Sequence, residues 1–499
     1  MERISVTLRP GDRVITGEKG QTLMDALRAA GAAIDAPCGG KGTCGKCRVL
    51  VDGREEHACQ YRLTGPVVVT LPEAGGALIL SSGYAAPIAA DGSSRYALAF
   101  DIGTTTVVCF LLDGGTGAVL AHATCLNPQS VYGADVISRI EYELAHRDGT
   151  LSEEIRRCLA SLTREASEKA GVKPEEITMA AVVGNTAMHH LLLELDVQPL
   201  VVPPYEPSVR EALELEAGFL PIAPEGRLRV LPNIAGFVGA DTVACMEAVD
   251  FDRLEKLTLL VDIGTNGEMV LGDRHRRLAC STAAGPAFEG AKIEFGMRAA
   301  AGAIQHVAFE EGVVVCSVIG SGRATGICGS GLLDALSALL KAGYVDGSGR
   351  LQPENGPPER WTEYNGQPAF DLQDGVLLTQ KDVREVQLAK AAIRAGIELM
   401  ARTLGRDVLD IDSVLLAGAF GSYLRPESAC SIGMLPPALL ERVRPIGNAA
   451  GEGAKRCAIS EAAYRHSKKL AGETGFLELA SLPEFQDCYI DMLSLAEEE

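Results

Sequence analysis

The chain has 499 residues, a length that predicts two to four domains, and 47% of them are hydrophobic, enough for sizeable buried cores. Its 46 lysines and arginines are outnumbered by 66 aspartates and glutamates, so the formal net charge is −20, which argues against nucleic acid as the main partner. No apolar run is long enough to cross a membrane and the first residues lack the apolar core of a signal peptide, so we expect no membrane association and a cytoplasmic location.

Four of the 14 cysteines lie close together in the glycine-rich stretch 36–59. They are spaced C-x5-C-x2-C-x11-C and are Cys38, Cys44, Cys47 and Cys59. Disulfides are not expected in a reducing compartment. A zinc site commonly combines two short C-x2–4-C pairs, and only one such pair is present here. Plant-type ferredoxins have C-x4-C-x2-C followed by a distant cysteine. The one extra residue in the first loop here resembles the adrenodoxin-like branch of those ferredoxins, so the spacing favours these four residues as ligands of a [2Fe–2S] cluster, with zinc as the alternative.

The segments around the cysteines predict an α+β domain of the β-grasp ferredoxin type over residues 1–85. Residues 3–9 alternate like a half-buried strand, and residues 22–34 place their apolar side chains on one helical face. Two further strand-like runs follow the cysteine loop, whose glycines would let the backbone direct N–H groups at the sulfurs. A linker of small and polar residues, 86–95, ends the domain and would let it move relative to the rest of the chain.

The short motif D-I-G-T occurs twice, beginning at residues 101 and 262, each time between two apolar strand-like runs. Such a turn exposes N–H groups and hydroxyls that bind phosphate, and its aspartate can hold magnesium. Two copies would bind a nucleoside triphosphate from both sides, without the G-x4-G-K-[ST] sequence of P-loop enzymes. The first copy supplies Asp101, Gly103, Thr104, Thr105 and Thr106, and the second supplies Asp262, Gly264, Thr265, Asn266 and Gly267. Asp101 and Asp262 are the candidates to face magnesium.

The paired motif resembles the phosphate-1 and phosphate-2 motifs of the acetate and sugar kinase, heat-shock chaperone and actin (ASKHA) superfamily. Residues 180–195 and 445–454 resemble its two connecting segments, and residues 413–424 resemble its adenosine motif, with Gly418, Phe420 and Gly421 beside the nucleotide. The resemblance covers residues 95–470. It implies an α/β actin-like, duplicated ribonuclease H-like ATPase domain over residues 96–475, with subdomains 96–255 and 256–475 and a C-terminal tail, 476–499.

The whole chain is similar to one family, the ATP-dependent reductive activators of corrinoid proteins, which join a [2Fe–2S] ferredoxin domain to this ATPase fold. Residues 281–297 and 326–346 also resemble that family. The resemblance implies reduction of cob(II)alamin to cob(I)alamin in support of a corrinoid-dependent methyltransferase or O-demethylase, with ATP, Mg²⁺ and the [2Fe–2S] cluster as cofactors. It also implies three partners: a corrinoid protein, an external low-potential electron donor and a second copy of the chain. Larger members insert a small domain where this chain has only the linker.

Each of three further candidate sites has an alternative, structural interpretation. Glu289 is a candidate base for the attacking water or, alternatively, a helix-start carboxylate favoured by the dipole. The segment Gly329, Ser330 and Gly331 suits an anion at a helix start, with capping by Ser330 as the alternative. Lys390 could approach the adenine or remain a solvated side chain on its helix.

Other interpretations remain open from the residues alone. His189 and His190 begin an apolar stretch, which favours a structural role over cobalt ligation. An activator of the 2-hydroxyacyl-CoA dehydratase type shares the ATPase fold but holds a four-iron cluster between subunits and lacks a ferredoxin domain. A nucleotide-binding redox sensor without turnover is the third class, and measuring ATP hydrolysis would separate it from an enzyme.

Overall fold

The computed structural model describes residues 3–9, 11–30, 32, 34, 36, 40, 42, 45–71, 90–133, 135–264, 266–282, 284–290, 292–320 and 322–495. Three residues of the predicted sites, Cys38, Cys44 and Thr265, lie outside these ranges. Within them, no helix combines the length and the apolar character needed to cross a membrane.

The N-terminal domain is a five-stranded sheet covered by one helix. Its elements are β1 (Arg3–Arg9), β2 (Arg13–Glu18), α1 (Leu23–Ala29), β3 (Arg48–Val51), β4 (Arg54–His57) and β5 (Val67–Thr70). The strand order is β2-β1-β5-β3-β4, with β1 and β5 parallel. Alternation along β1 buries Ile4, Val6 and Leu8, and α1 adds Leu23 and Leu27 to the same core. This α+β arrangement is the predicted ferredoxin fold.

The first lobe of the second domain is built on a six-stranded sheet. Its elements are β6 (Tyr96–Ile102), β7 (Thr106–Asp113), β8 (Val119–Leu126), α2 (Val136–His146), α3 (Thr150–Ala170), β9 (Ile177–Gly184), α4 (Thr186–Leu193), β10 (Leu213–Glu216), β11 (Arg227–Val230) and α5 (Ala240–Ala248). The strand order is β10-β11-β9-β6-β7-β8. Strands β6, β7 and β8 form an antiparallel meander, and β9 and then β11 continue the sheet parallel to β6.

The second lobe contains another six-stranded sheet and two three-stranded sheets. Its strands are β12 (Thr258–Ile263), β13 (Gly267–Gly272), β14 (Arg277–Thr282), β15 (Ala303–Glu310), β16 (Val313–Val318), β17 (Gly326–Ile327), β18 (Trp361–Tyr364), β19 (Gln367–Gln373), β20 (Val376–Thr379), β21 (Ser413–Ala417), β22 (Val443–Gly447) and β23 (Gly475–Phe476). Its helices are α6 (Gly285–Phe288), α7 (Gly329–Lys341), α8 (Gln380–Leu404), α9 (Gly418–Tyr423), α10 (Pro426–Ser431), α11 (Ala449–Ile459), α12 (Glu461–Glu473) and α13 (Phe485–Asp491). The large sheet has the order β22-β21-β12-β13-β14-β23.

The two lobes repeat one arrangement. In the second lobe β12, β13 and β14 form the antiparallel meander, and β21 and β22 continue the sheet in parallel, as β9 and β11 do in the first. The duplication that the superfamily resemblance implies is confirmed, since both D-I-G-T turns join the first two strands of a meander. A shared core joins the lobes and contains Ala99 of β6, Leu260 of β12 and Ala454 of α11.

The C-terminal segment is packed against the second lobe, contrary to its prediction as a tail over residues 476–499. Leu479, Cys488 and Leu495 are buried in that lobe's core. The side-chain amide of Gln387 on α8 also donates a hydrogen bond to the Leu493 carbonyl, 2.9 Å away. Apolar side chains with this burial belong to the domain, at least as far as residue 495.

His466 on α12 ties this helix to the end of the first lobe. Its Nδ1 lies 2.6 Å from Glu247 Oε2, and its Nε2 lies 3.0 Å from Asp252 Oδ1. The hydrogen bond to Glu247 raises the pKa of His466 above its usual value, Asp252 adds to the rise, and burial opposes both. Arg456 pairs with Glu247 and Lys469 pairs with Asp252, so positive charges already balance both acids.

We expect His466→Gln to destabilise the protein mainly at acidic pH. A histidine pKa raised by folding contributes stability that is complete below about pH 6.5 and is lost as pH rises through the folded-state pKa. The melting temperature of the variant should therefore fall below wild type at pH 6 and approach wild type at pH 9. The exposed His275→Gln serves as control. An equal loss at both pH values would contradict the ion-pair explanation.

Candidate functional site

A cleft of about 260 Å³ lies between the two lobes. The first D-I-G-T turn follows β6 and the second follows β12, while β9, β21 and β22 end at the same edge. Ligands of α/β folds bind where the carboxyl ends of parallel strands meet. Among the predicted site residues, those that line the cleft are Asp101, Gly103, Thr104, Thr105, Thr106, Asp262, Gly264, Asn266, Glu289, Gly329, Ser330, Gly418 and Phe420.

The first turn is held in place by three buried polar side chains. Asn127 donates to the Gly103 carbonyl at 2.8 Å, and Asn185 donates to the Thr104 hydroxyl at 3.0 Å. The Arg139 guanidinium donates to the Thr104 carbonyl through a terminal nitrogen, and its Nε donates to a second backbone carbonyl. Because these groups satisfy one another away from water, the turn is positioned before any ligand arrives.

Besides Glu289, four carboxylates line the cleft: Asp101, Asp241, Asp262 and Glu268. Desolvation raises the pKa of Asp101 to about 6, a hydrogen bond from Asn448 opposes the rise, and the charge of Asp262 adds to it. Desolvation raises the pKa of Asp241 to about 7, with further contributions from Asp262 and Asp101. Burial likewise raises the pKa values of Asp262 and Glu268.

Such a group of carboxylates is stable only when protons or a cation neutralise it. Oxygen ligands of this kind fit Mg²⁺, which binds through one or two carboxylates, water and substrate phosphates. Asp101 and Asp262 stand at the ends of equivalent strands and are the pair that the duplicated fold brings together. The donor set therefore fits a magnesium–nucleotide complex.

The other walls of the cleft provide an aromatic surface and a helix N-terminus. The rings of Phe288 and Phe420 are stacked with centroids 5.1 Å apart. Helix α7 begins beside the cleft, where its first N–H groups suit an anion. The Ser330 hydroxyl donates to the Gln305 carbonyl at 3.0 Å. Cys328 occupies the N-cap position and its side chain makes no capping hydrogen bond, so the capping alternative for Ser330 is wrong.

Glu289 connects the lobes. Its two carboxylate oxygens lie 3.1 and 3.2 Å from the Thr105 hydroxyl, which belongs to the first lobe's turn. Glu289 follows α6 rather than beginning it, so the helix-start alternative for this residue is wrong. The carboxylate faces the cleft next to the phosphate-binding turn, a position from which a base could reach water.

Four predicted nucleotide-site residues do not line the cleft. They are Gly267, Gly331, Gly421 and Lys390. Lys390 is only 2% exposed, and its amine donates to the Ser494 carbonyl of the C-terminal segment. The solvated alternative for Lys390 is therefore wrong, because residues beyond α13 cover its face of α8. Its approach to the adenine stays a prediction.

The two adjacent histidines are structural. Both are buried, and the hydrogen bond from His190 Nδ1 to the Thr186 carbonyl (2.7 Å) leaves Nε2 to accept from the Ser208 N–H (3.0 Å). Burial lowers the pKa of His189 to about 3, which keeps it neutral.

In the ferredoxin domain, Cys47 and Cys59 come together. Their sulfurs are 3.3 Å apart, with Cys47 buried and Cys59 half-buried. A disulfide requires about 2.05 Å. Two thiolates about 2.3 Å from one tetrahedral metal lie ~3.8 Å apart, so the observed pair fits shared ligation of one metal ion after a small adjustment.

Three family models match successive parts of the chain. Residues 6–67 match the 2Fe-2S iron-sulfur cluster binding domain, residues 96–254 match the RACo middle region, and residues 256–499 match the C-terminal domain of RACo, the ASKHA domain. The chain is 36% identical over 416 residues to the corrinoid activation enzyme RamQ of Eubacterium limosum, covering 79% of this chain and 69% of that protein. The chain belongs to the family of corrinoid activation proteins. The predicted family is thus confirmed.

Two further similarities agree with this membership. The chain is 31% identical over 229 residues to the [Co(II) methylated amine-specific corrinoid protein] reductase of Methanosarcina barkeri, covering 42% of this chain and 40% of that protein. A solved structure of a reductive activator for corrinoid,iron-sulfur protein superposes with a TM-score of 0.72 at 28% identity, covering 99% of this chain and 98% of that one. The N-terminal domain of this activator matches a 2Fe-2S domain, and this match favours an iron–sulfur cluster over the zinc alternative.

Two acidic residues of the activator's cleft, Asp241 and Glu268, were not predicted from the sequence. Glu268 is an acid inside β13, a strand that is otherwise apolar and fully buried, and that contrast was a usable signal. Asp241 lies in the first turn of α5, whose other residues are buried, but nothing in the local sequence indicates that this helix starts at the cleft.

We expect Gly418→Ala to weaken nucleotide binding by the activator about tenfold or more. Gly418 has φ +81°, and a Cβ there would lie 2.4 Å from Asp262 Oδ1. The added methyl would displace the carboxylate as well as strain the backbone. Gly405→Ala is a matched control, because Gly405 has φ +70° with open space around it. Equal nucleotide affinities of the two variants, measured by calorimetry, would contradict this role of Gly418.

Proposed function

We propose that this protein reduces the cob(II) form of a corrinoid protein to the cob(I) form, relaying one electron through its [2Fe–2S] cluster at the expense of Mg-ATP. The observation that carries the proposal is the presence, in one chain, of a converging cysteine pair and a two-lobed cleft lined by five carboxylates. The names of the relatives supply the substrate: one is a corrinoid activation enzyme and another reduces a Co(II) corrinoid protein.

The cluster supplies single electrons at low potential, and Mg-ATP supplies free energy when hydrolysed. Asp101 and Asp262 hold the magnesium ion, directly or through water. The turns around Thr104 and Asn266 donate to the phosphates from opposite lobes. Glu289, held by the Thr105 hydroxyl, orients and deprotonates the attacking water.

An energetic argument supports joining the two halves in one chain. Moving an electron uphill costs about 2.3 kcal/mol per 100 mV, so a gap of several hundred millivolts exceeds what electron flow alone supplies. A nucleotide-dependent shift of a two-state equilibrium from 1:99 to 99:1 is worth about 5.5 kcal/mol. Differential binding of the corrinoid partner by two nucleotide states of the cleft can therefore offset such a gap.

The proposed partners are a corrinoid protein of a methyltransferase or O-demethylase system, an external low-potential electron donor and a second copy of the chain. The corrinoid protein can be tested directly under anaerobic conditions. A Co(II) corrinoid protein mixed with the activator and titanium(III) citrate should develop the absorbance of cob(I)alamin when Mg-ATP is added. Absence of Co(I) with every component present, or equal formation without the activator, would reject the proposed function.

A further inference from the structure

The ferredoxin domain is docked on the ATPase domain through Lys46, the residue before the cluster ligand Cys47. We call residues 292–298 of the second lobe the rim loop. The Lys46 amine donates to the carbonyls of Ile293 (2.9 Å), Glu294 (3.1 Å) and Gly296 (3.2 Å) of this loop. An ammonium group has three donors, and three carbonyls receive them. Charge-assisted bonds of this kind are stronger than neutral ones, which distinguishes the contact from an incidental surface approach.

A second contact reaches the other lobe. Arg28 of α1 lies over the ring of Tyr132, 6.0 Å from its centroid, and Tyr132 belongs to the first lobe. The ferredoxin domain therefore touches both lobes, through Arg28 on one and Lys46 on the other. A domain that bridges two lobes can keep both contacts only at one separation of the lobes.

The rim loop is connected to the cleft by short, well-supported steps. Its last two residues, Met297 and Arg298, line the cleft. The Met297 N–H donates to the Ile327 carbonyl at 2.9 Å, and the Ile327 N–H donates to the Phe295 carbonyl at 2.8 Å. Ile327 is followed by Cys328 and the start of α7 at the cleft wall. A shift of the rim loop therefore moves groups that face the nucleotide.

The loop has little freedom to absorb such a shift internally. The Glu294 N–H donates to Asp382 at 2.8 Å, and its carboxylate accepts from the Tyr364 hydroxyl at 2.7 Å. Gly296 packs directly on the Gly290 backbone, where an added Cβ would lie 2.2 Å from the Gly290 carbonyl oxygen. The rim loop consequently behaves as part of the second lobe rather than as an independent flap.

We infer that the ferredoxin domain docks across the two lobes through Lys46 and Arg28, and that docking and nucleotide binding stabilise each other. This inference rests on the proposed nucleotide site. Docking fixes Met297 and Arg298 at the cleft and fixes the separation of the lobes, so it prepares the cleft for the nucleotide. Coupling of two equilibria is reciprocal, so bound nucleotide must favour the docked domain by the same factor. While nucleotide is bound, the ferredoxin domain that carries Cys47 is then held against the rim loop by Lys46.

The test compares Lys46→Ala with Lys19→Ala, an exposed lysine of the same domain with the same change of charge. The probe is a non-hydrolysable ATP analogue with Mg²⁺, added to the full-length holoprotein. Calorimetry should show analogue affinity about fivefold or more weaker for Lys46→Ala, and wild-type affinity for Lys19→Ala. Small-angle scattering should show that the analogue compacts the wild type and Lys19→Ala, but leaves Lys46→Ala extended.

Unchanged affinity and scattering for Lys46→Ala would overturn the inference, and a more extended variant with unchanged affinity would overturn the coupling. If Lys46→Ala loses the visible spectrum of the cluster, the test uses Arg28→Ala instead, with Arg54→Ala as its control. Calorimetry and small-angle scattering remain the two readouts. Neither readout involves hydrolysis or a corrinoid. A failure of corrinoid reduction therefore leaves them interpretable, whereas a wild type that binds no analogue would refute the nucleotide site itself.

Discussion

Asp262→Asn should lower Mg²⁺-dependent ATP hydrolysis by about a hundredfold or more while the visible spectrum of the iron–sulfur cluster stays unchanged. The substitution keeps the shape of the side chain but removes the carboxylate near the end of β12, one of those that line the cleft. The cluster is unaffected because the ferredoxin domain has its own core. Phosphate release measured with and without Mg²⁺ gives the result.

Asp273→Asn is the matched control, since it makes the same replacement of a carboxylate by an amide in an outlying turn after β13. Glu289→Gln gives an informative contrast: it should lower hydrolysis while retaining nucleotide affinity, because Glu289 is proposed to act on water and not on the metal. Hydrolysis at the wild-type rate in Asp262→Asn would mean that the phosphate site has been placed wrongly.

Cys47→Ser should remove the [2Fe–2S] cluster and all corrinoid reduction, while ATP hydrolysis continues. Cys47 and Cys59 approach to 3.3 Å in the ferredoxin domain, and neither the lobes nor their shared core contains either residue. Iron analysis of the wild type should give two irons per chain, and the variant should lose the visible absorbance. Cys316→Ser, at a half-buried cysteine of β16, should behave as wild type. Four irons or stoichiometric zinc in the wild type would contradict the ferredoxin assignment.

Residue spacing, repetition and the family resemblance together predicted the architecture. The cysteine pattern predicts a metal domain because ligand spacing is local. The repeated D-I-G-T turn predicts a two-sided nucleotide site, and its resemblance to the ASKHA phosphate motifs implies the duplicated fold. Both turns come to one cleft by the symmetry of the two lobes, with Asp101 and Asp262 among its lining residues.

Features that depend on how distant segments pack could not be predicted in this way. Lys390 has a helical context that suits a solvated side chain, but only the fold shows that residues beyond α13 cover it. Asp241 reaches the cleft because α5 packs between the lobes, and the three carbonyls that bind Lys46 lie about 250 residues away along the chain. Helical and strand periodicity describe which face is apolar, and they carry no information about which segment covers it.

The central claim is that an electron passes from the cluster to cobalt only when nucleotide is present. It is tested most directly by reducing the cluster stoichiometrically, removing excess reductant, and mixing the protein with a Co(II) corrinoid protein in a stopped-flow spectrometer. With Mg-ATP, reoxidation of the cluster and appearance of Co(I) should proceed at one rate and with one-to-one amplitudes, and without nucleotide both should be absent or far slower. Cobalt reduction without matching cluster reoxidation, or equal rates with and without Mg-ATP, would contradict the account.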